Sequence, residues 1–200
     1  MTKISETTTF EEFAAIVSNA LERAGIVATL SGGGAVTIYS GNQYESADLD
    51  FVTSTMVDDL EPVLAGLGFM RTGSRRLAQF EHPKVDWYLD FPSSPLAFGN
   101  TYVSDNECLV ISLPKGRLRI ISPTQSVMDR LAAAFAWKDE QSREQAILVA
   151  AKNEIDWDEL ESWFKSEGES AREFRRFRDA VESSDLFGKT SSNSSTDTPS

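Results

Sequence analysis

The chain has 200 residues, 40% of them hydrophobic, with 19 basic and 31 acidic side chains and a net charge of −12. That composition supports one packed domain, or a core with a small helical lobe, and argues against indiscriminate binding to nucleic acid. His82 and Cys108 are the only residues of their kinds, which excludes an intrachain disulfide and a Cys/His zinc site. A metal here would need oxygen ligands, the preference of magnesium and manganese.

The first nine residues lack the apolar segment of a signal peptide. No stretch approaches the roughly 20 apolar residues of a membrane span. With a lone cysteine, this predicts a cytoplasmic chain. Thr9 and Glu12 form a capping-box pair, and Phe10, Phe13, Ala14, Val17 and Leu21 recur at helical spacing up to Gly25. A short buried strand, Val27 to Leu30, runs into Gly32, Gly33 and Gly34. A short helix is expected over Ala35 to Tyr39, stopped by Gly41 and Asn42. A second strand covers Ala47 to Thr53 and places Asp48 and Asp50 on one face, Leu49 and Phe51 on the other.

A helix follows over Asp58 to Leu67, ended by Gly68, and a strand begins at Phe69 and Met70. Arg71 to Arg76 reads as a donor-rich turn, and Leu77 to Glu81 as a strand broken by His82 and Pro83. From Lys84 to Phe91, Val85, Trp87, Leu89 and Phe91 alternate with Asp86, Tyr88 and Asp90, which predicts a half-exposed strand over the whole stretch. Residues 92–99 read as a loop. Leu109 to Leu113 and Leu118 to Ile121 read as strands joined through Pro114 and Gly116. Ser122 and Pro123 then open a helix with Val127, Met128, Leu131, Ala134 and Phe135 inward. Further helices are expected over 140–151, 157–165 and 170–181. The result is an α+β chain: a mixed sheet flanked by helices over 1–121, a helical lobe over 122–187 and a polar, disordered tail over 188–200.

Aspartate is depleted in strands, and two carboxylates on each of two strands are unfavourable without cations to neutralise them. This favours a metal site over a solvated acidic face for Asp48 and Asp50. Glycines between a strand and a helix let backbone amides approach a phosphate. The arrangement lacks the Lys-Ser/Thr of a Walker A loop. Residues 71–120 carry 7 basic and 5 acidic side chains, against 2 and 10 in residues 1–70. That middle region, with Arg71, Arg75, Arg76, Lys84, Arg117 and Arg119, is where an anionic substrate is expected.

Gly32-Gly33-Gly34 between strand and helix, then Asp48-Leu49-Asp50 on the next strand, resembles the signature of the nucleotidyltransferase superfamily with the DNA polymerase beta type of fold. The sequence is similar to small bacterial members, including nucleotidyltransferase-type toxins of abortive-infection toxin–antitoxin systems. The resemblance implies Mg²⁺ or Mn²⁺ held by Asp48, Asp50 and a third carboxylate, Asp90 rather than Asp86. It implies phosphate binding by Ser31, Gly32, Gly33 and Gly34, with a basic residue from the following helix, Arg130 or Lys138. The implied reaction moves a nucleoside monophosphate from a nucleoside triphosphate to a hydroxyl of RNA, tRNA in particular, of a protein or of a small molecule. A homodimer or a cognate antitoxin is the implied partner. Two other readings stand beside it: a catalytically inactive binding module on the same fold, and an acidic interaction domain.

Overall fold

The computed structural model describes residues 3–73 and 79–191. Helix α1 (Phe10–Arg23) starts at the Thr9–Glu12 capping box, which is formed in both directions. It is followed by β1 (Ala28–Ser31), α2 (Gly32–Ser40), β2 (Asp48–Thr53), α3 (Val57–Leu67), β3 (Met70–Thr72), β4 (Gln79–Glu81) and β5 (Tyr88–Asp90). Next come β6 (Leu96–Phe98), β7 (Thr101–Val103), β8 (Leu109–Leu113) and β9 (Gly116–Ile120). Helices α4 (Pro123–Trp137), α5 (Glu140–Lys152), α6 (Trp157–Ser166) and α7 (Ala171–Ser191) complete the chain.

Seven strands form one mixed sheet in the order β3-β4-β5-β2-β1-β9-β8. β2 is central, antiparallel to β1 and parallel to β5. Its buried residues are Leu49, Phe51 and Thr53, and its half-buried ones Asp48, Asp50 and Val52, so the strand alternates as expected. One hydrophobic core runs from α1 through the sheet into the helices, from Phe13 and Phe51 to Phe164 and Phe177. The helical part is also tied to the sheet part by polar bonds. Lys152 Nζ donates to the Ser40 carbonyl at 2.6 Å, and Asn153 Nδ2 donates to the Tyr39 carbonyl at 3.0 Å.

Four features differ from the sequence expectations. Over Lys84 to Phe91 only Tyr88–Asp90 is strand. Val85 N–H donates to the His82 carbonyl at 3.3 Å, closing a turn, and the Trp87 ring packs on Phe10 and Phe13 at 5.4 and 5.7 Å. The alternation there reflects packing under α1 rather than a strand. Within 92–99 lies β6, paired with β7 in a hairpin whose two-residue turn is Gly99-Asn100, with Gly99 at φ +62°. The three glycines are the first turn of α2, not a turn before it. Helix α7 reaches Ser191, past the expected end near Val181 and through residues 188–191 of the expected tail. Arg75, Arg76, Leu77 and Ala78, and the tail beyond 191, lie outside the described residues.

Candidate active site

Strand pairing brings the acids together. β2 and β5 run parallel with Asp50 opposite Asp90 and Asp48 opposite Tyr88. Side chains two apart share a face, so Asp48, Asp50 and Asp90 project to the same side. Ligand oxygens of these three, all partly buried, lie within 4.8 Å of one another. Asp86 is exposed in the turn ahead of β5 and takes no part. It is Asp90, at the strand end, that completes the set.

Neighbouring side chains hold the Asp48 and Asp90 carboxylates. Ser46 donates its hydroxyl to Asp48 Oδ1 at 2.8 Å, and Tyr88 OH reaches Asp48 Oδ2 at 3.5 Å. Gln79, opposite Asp90 on β4, donates to the Asp90 carboxylate. Burial, then the charges of Asp48, Asp90 and Asp129, push Asp50 up to about 7, and Arg130 offsets part of this. Asp90 is raised by burial and by Asp48, against the Gln79 bond. Burial first and the carboxylates second also raise the Tyr88 phenol. The cluster is therefore short of positive charge. An all-oxygen set with this deficit fits a hard divalent cation, with Asp48, Asp50 and Asp90 as the residues that would hold it.

The glycines stand beside this cluster. Ser31 is the N-cap of α2, but its side chain makes no capping bond; its hydroxyl lies 3.5 Å from the Asp50 carbonyl. In contrast, Thr9, Ser122, Asp139 and Asp156 cap α1, α4, α5 and α6 with their side chains. The first turn of α2 also carries no acid. Its amide end is thus left for another acceptor. Gly32 has φ +61°, and a Cβ there would overlap the Asp50 carboxylate. A Cβ on Gly33 would sit 2.6 Å from Ser46 Oγ, and one on Gly34 3.0 Å from Leu30 Cδ1. Gly32 thus makes room at the carboxylates, whereas Gly34 serves the packing of α2 on the sheet.

A cleft adjoins Asp50, lined by Ser31, Gly32, Val52, Ser93, Leu96 and Arg130 among others. Among the described residues, Arg130 is the only lysine or arginine in that lining. Its Nε and Nη2 donate to Asp129 Oδ2 at 3.1 and 2.7 Å, and both side chains are 19% exposed. Lys138 is exposed at the C-cap of α4, eight residues beyond Arg130, or about 12 Å along a helix axis. The structure does not bring it to the cleft. Trp137, the last residue of α4, is 81% exposed. Cys108 and His82 are both buried, as small-residue packing and a structural histidine require.

Among the described residues of 71–120, four basic side chains are held in ion pairs. Arg71 pairs with Asp58 and Glu61, Lys84 with Glu6, Lys115 with Glu12 and Arg117 with Glu22, on the N-terminal segment, α1 and α3. Arg119 lines a small cavity with Ser18 and Glu22. Among the described residues, part of the local charge excess read along the sequence is spent in pairs with acids on other elements. Sequence reasoning also missed Ser46, Gln79 and the cleft wall formed by 92–97. Ser46 lies two residues before Asp48 on the same polar alternation, the one signal that could have flagged it. Gln79 needed the β4–β5 register.

The fold has solved counterparts. An antigenic nucleotidyltransferase-like protein from Paracoccidioides brasiliensis matches with a TM-score of 0.58 over 89% of this chain and 94% of its own, at 12% identity. ANT(2'')-Ia in complex with adenylyl-2''-tobramycin matches at 0.49, with 16% identity over 84% of this chain and 94% of that one. The lincomycin-bound lincosamide antibiotic adenylyltransferase LnuA matches at 0.48, with 14% identity over 66% and 91%. The first likeness defines the class: this is a nucleotidyltransferase-like fold. The other two, below 0.5, add nothing to that assignment, and the resemblance to abortive-infection toxins gains no support. No protein-family model and no curated protein matches the sequence.

Proposed function

We propose that the protein is a divalent-metal-dependent nucleotidyltransferase, moving a nucleoside monophosphate from a nucleoside triphosphate to a hydroxyl. The observation that carries this reading is the convergence of Asp48, Asp50 and Asp90 within 4.8 Å beside the uncapped glycine end of α2. Mg²⁺ or Mn²⁺ bound there would supply charge neutralisation for the triphosphate and lower the pKa of the attacking hydroxyl.

The chain's own residues have distinct roles. Asp48, Asp50 and Asp90 hold the cation, with Ser46 and Gln79 fixing the carboxylate orientations. Ser31 and the amides of Gly32, Gly33 and Gly34 receive phosphate oxygens. Arg130 supplies a cationic side chain at the cleft. The acceptor oxygen bonds to the α-phosphorus, the bond from that phosphorus to the α–β bridging oxygen breaks, and pyrophosphate leaves. The hydroxyl proton passes to a carboxylate of the triad.

The ion pairs of Arg71, Lys84, Lys115 and Arg117, among the described residues of 71–120, favour a small molecule or a protein side chain over RNA as acceptor. The inactive-module reading would be favoured by Asp90 turned away from Asp48 and Asp50, and the acidic-domain reading by scattered aspartates; the triad has neither property. We assign the core to 1–121 and the helical lobe to 122–187. No described helix is long and apolar enough to cross a membrane, and we place the protein in the cytoplasm.

Label transfer tests the reaction. The protein is incubated with Mg²⁺, each α-³²P nucleoside triphosphate, and candidate hydroxyl acceptors including tRNA, protein and polyhydroxylated small molecules. The expected result is labelled acceptor with release of pyrophosphate, lost in Asp48→Asn and Asp50→Asn. Nucleotide binding with no transfer to any acceptor would favour the inactive module.

A further inference from the structure

The cleft places an arginine next to a cluster of carboxylates that a cation is meant to occupy. Arg130 lines it together with Asp50. A guanidinium so placed is drawn to the carboxylates by charge and by bidentate geometry. If it paired with Asp50 it would take the place of the metal. In the structure it does not. One oxygen of Asp129 accepts from both Nε and Nη2, at 3.1 and 2.7 Å. Asp129 also lines the cleft, and both residues sit mid-helix on α4, so the pair is carried on a rigid element. Two of the five guanidinium N–H donors serve Asp129. Nη1 makes no bond among the described residues.

We propose that Asp129 is a positioning residue that withholds Arg130 from Asp50 and holds it at the cleft wall for the phosphates of the nucleotide. This rests on the metal–nucleotide reading above and adds to it a division of labour. The triad stays open to the cation because a fourth carboxylate occupies the arginine. The pair serves orientation, since an adjacent-residue ion pair between partly exposed groups adds little to stability.

The test measures Mn²⁺ affinity without nucleotide, and nucleoside triphosphate affinity with Mg²⁺, in folded protein checked by circular dichroism. In Asp129→Asn the released arginine competes for Asp50, so Mn²⁺ binding weakens by about tenfold, the scale of one charge-assisted pair. Adding Arg130→Met to Asp129→Asn restores Mn²⁺ affinity to the wild-type value while nucleotide binding stays weak. Asp129→Glu restores both. A merely structural aspartate would not give recovery of metal affinity on deleting the arginine. The proposal is overturned if Asp129→Asn binds Mn²⁺ and nucleotide as the wild type does, or if its metal defect persists in the double variant. Should Asp129→Asn not fold, Arg130→Met alone decides: Mn²⁺ affinity kept or raised with nucleotide affinity lowered supports the proposal, and both unchanged overturns it. Wild-type protein that binds no Mn²⁺ would instead refute the triad as a metal site, and this inference with it.

Discussion

Asp50→Asn is expected to stabilise the metal-free protein at alkaline pH. The Asp50 carboxyl is moved from its ordinary 3.8 to about 7, by burial first and by Asp48, Asp90 and Asp129 after it. Below about pH 4 the group is protonated in both folded and unfolded chains, and ionisation costs nothing. Between pH 4 and 7 the unfolded chain releases its proton while the folded one keeps it, so stability falls as pH rises. Above pH 7 the full cost is present. At about 1.4 kcal/mol for each tenfold change in proton affinity, that cost has a ceiling of about 4 kcal/mol. For a chain of this size each kcal/mol is worth roughly 2–4 °C in Tm. Thermal melts of the two proteins in EDTA at pH 8 and at pH 4 read the effect. The variant should melt several degrees above wild type at pH 8, and the difference should shrink to about 0.5 kcal/mol, a degree or two, at pH 4. Saturating Mg²⁺ at pH 8 should stabilise wild type and not the variant, closing the gap. A variant less stable than wild type at pH 8, or an advantage equal at both pH values, would refute the electrostatic account of the triad.

Other substitutions probe other parts of the structure. Gly32→Ala forces a Cβ into the Asp50 carboxylate at a φ of +61°, and should cost about 1–2 kcal/mol in urea melts and abolish metal binding by titration. Lys138→Gly places glycine at a C-cap with φ +52°, and should raise stability by up to about 1 kcal/mol while nucleotide affinity stays at wild type. Phe164 is fully buried against the rings of Phe135, Trp163, Phe174 and Phe177, so Phe164→Ala should destabilise by about 3–5 kcal/mol with an unchanged metal affinity in the folded fraction.

What could be read in the sequence followed from local periodicity. The capping box at Thr9, the Ser122 cap with Pro123 after it, the alternation of Asp48, Leu49, Asp50 and Phe51, and the stripe through Val127 and Leu131 each have a spacing that dictates one conformation. The Asp-x-Asp pair was legible because a strand puts alternate residues on one face. The choice of Asp90 over Asp86 was legible only as a preference for the strand end, and the parallel pairing of β2 with β5 is what settles its place in the structure. The hairpin β6–β7 was missed although Gly99-Asn100 between Leu96-Ala97-Phe98 and the β-prone Thr101-Tyr102-Val103 is a turn signal, because the prolines at 92 and 95 drew the whole stretch into a loop. Trp87 illustrates the opposite error: an aromatic at even spacing looked like a strand residue but is held by Phe10 and Phe13 from another element. The pairing of Lys84, Lys115 and Arg117 with acids on the N-terminal segment and α1 is long-range, and no short window along the chain contains it.

The measurement that bears most directly on the account is thermal melting with each of the four nucleoside triphosphates, in Mg²⁺ and in EDTA. A ligand at a hundred times its dissociation constant stabilises by about 2.7 kcal/mol, a shift of several degrees. The account predicts a shift that requires metal and nucleotide together and is absent in Asp50→Asn. No shift with any nucleotide, or a shift that survives EDTA and Asp50→Asn, would contradict it.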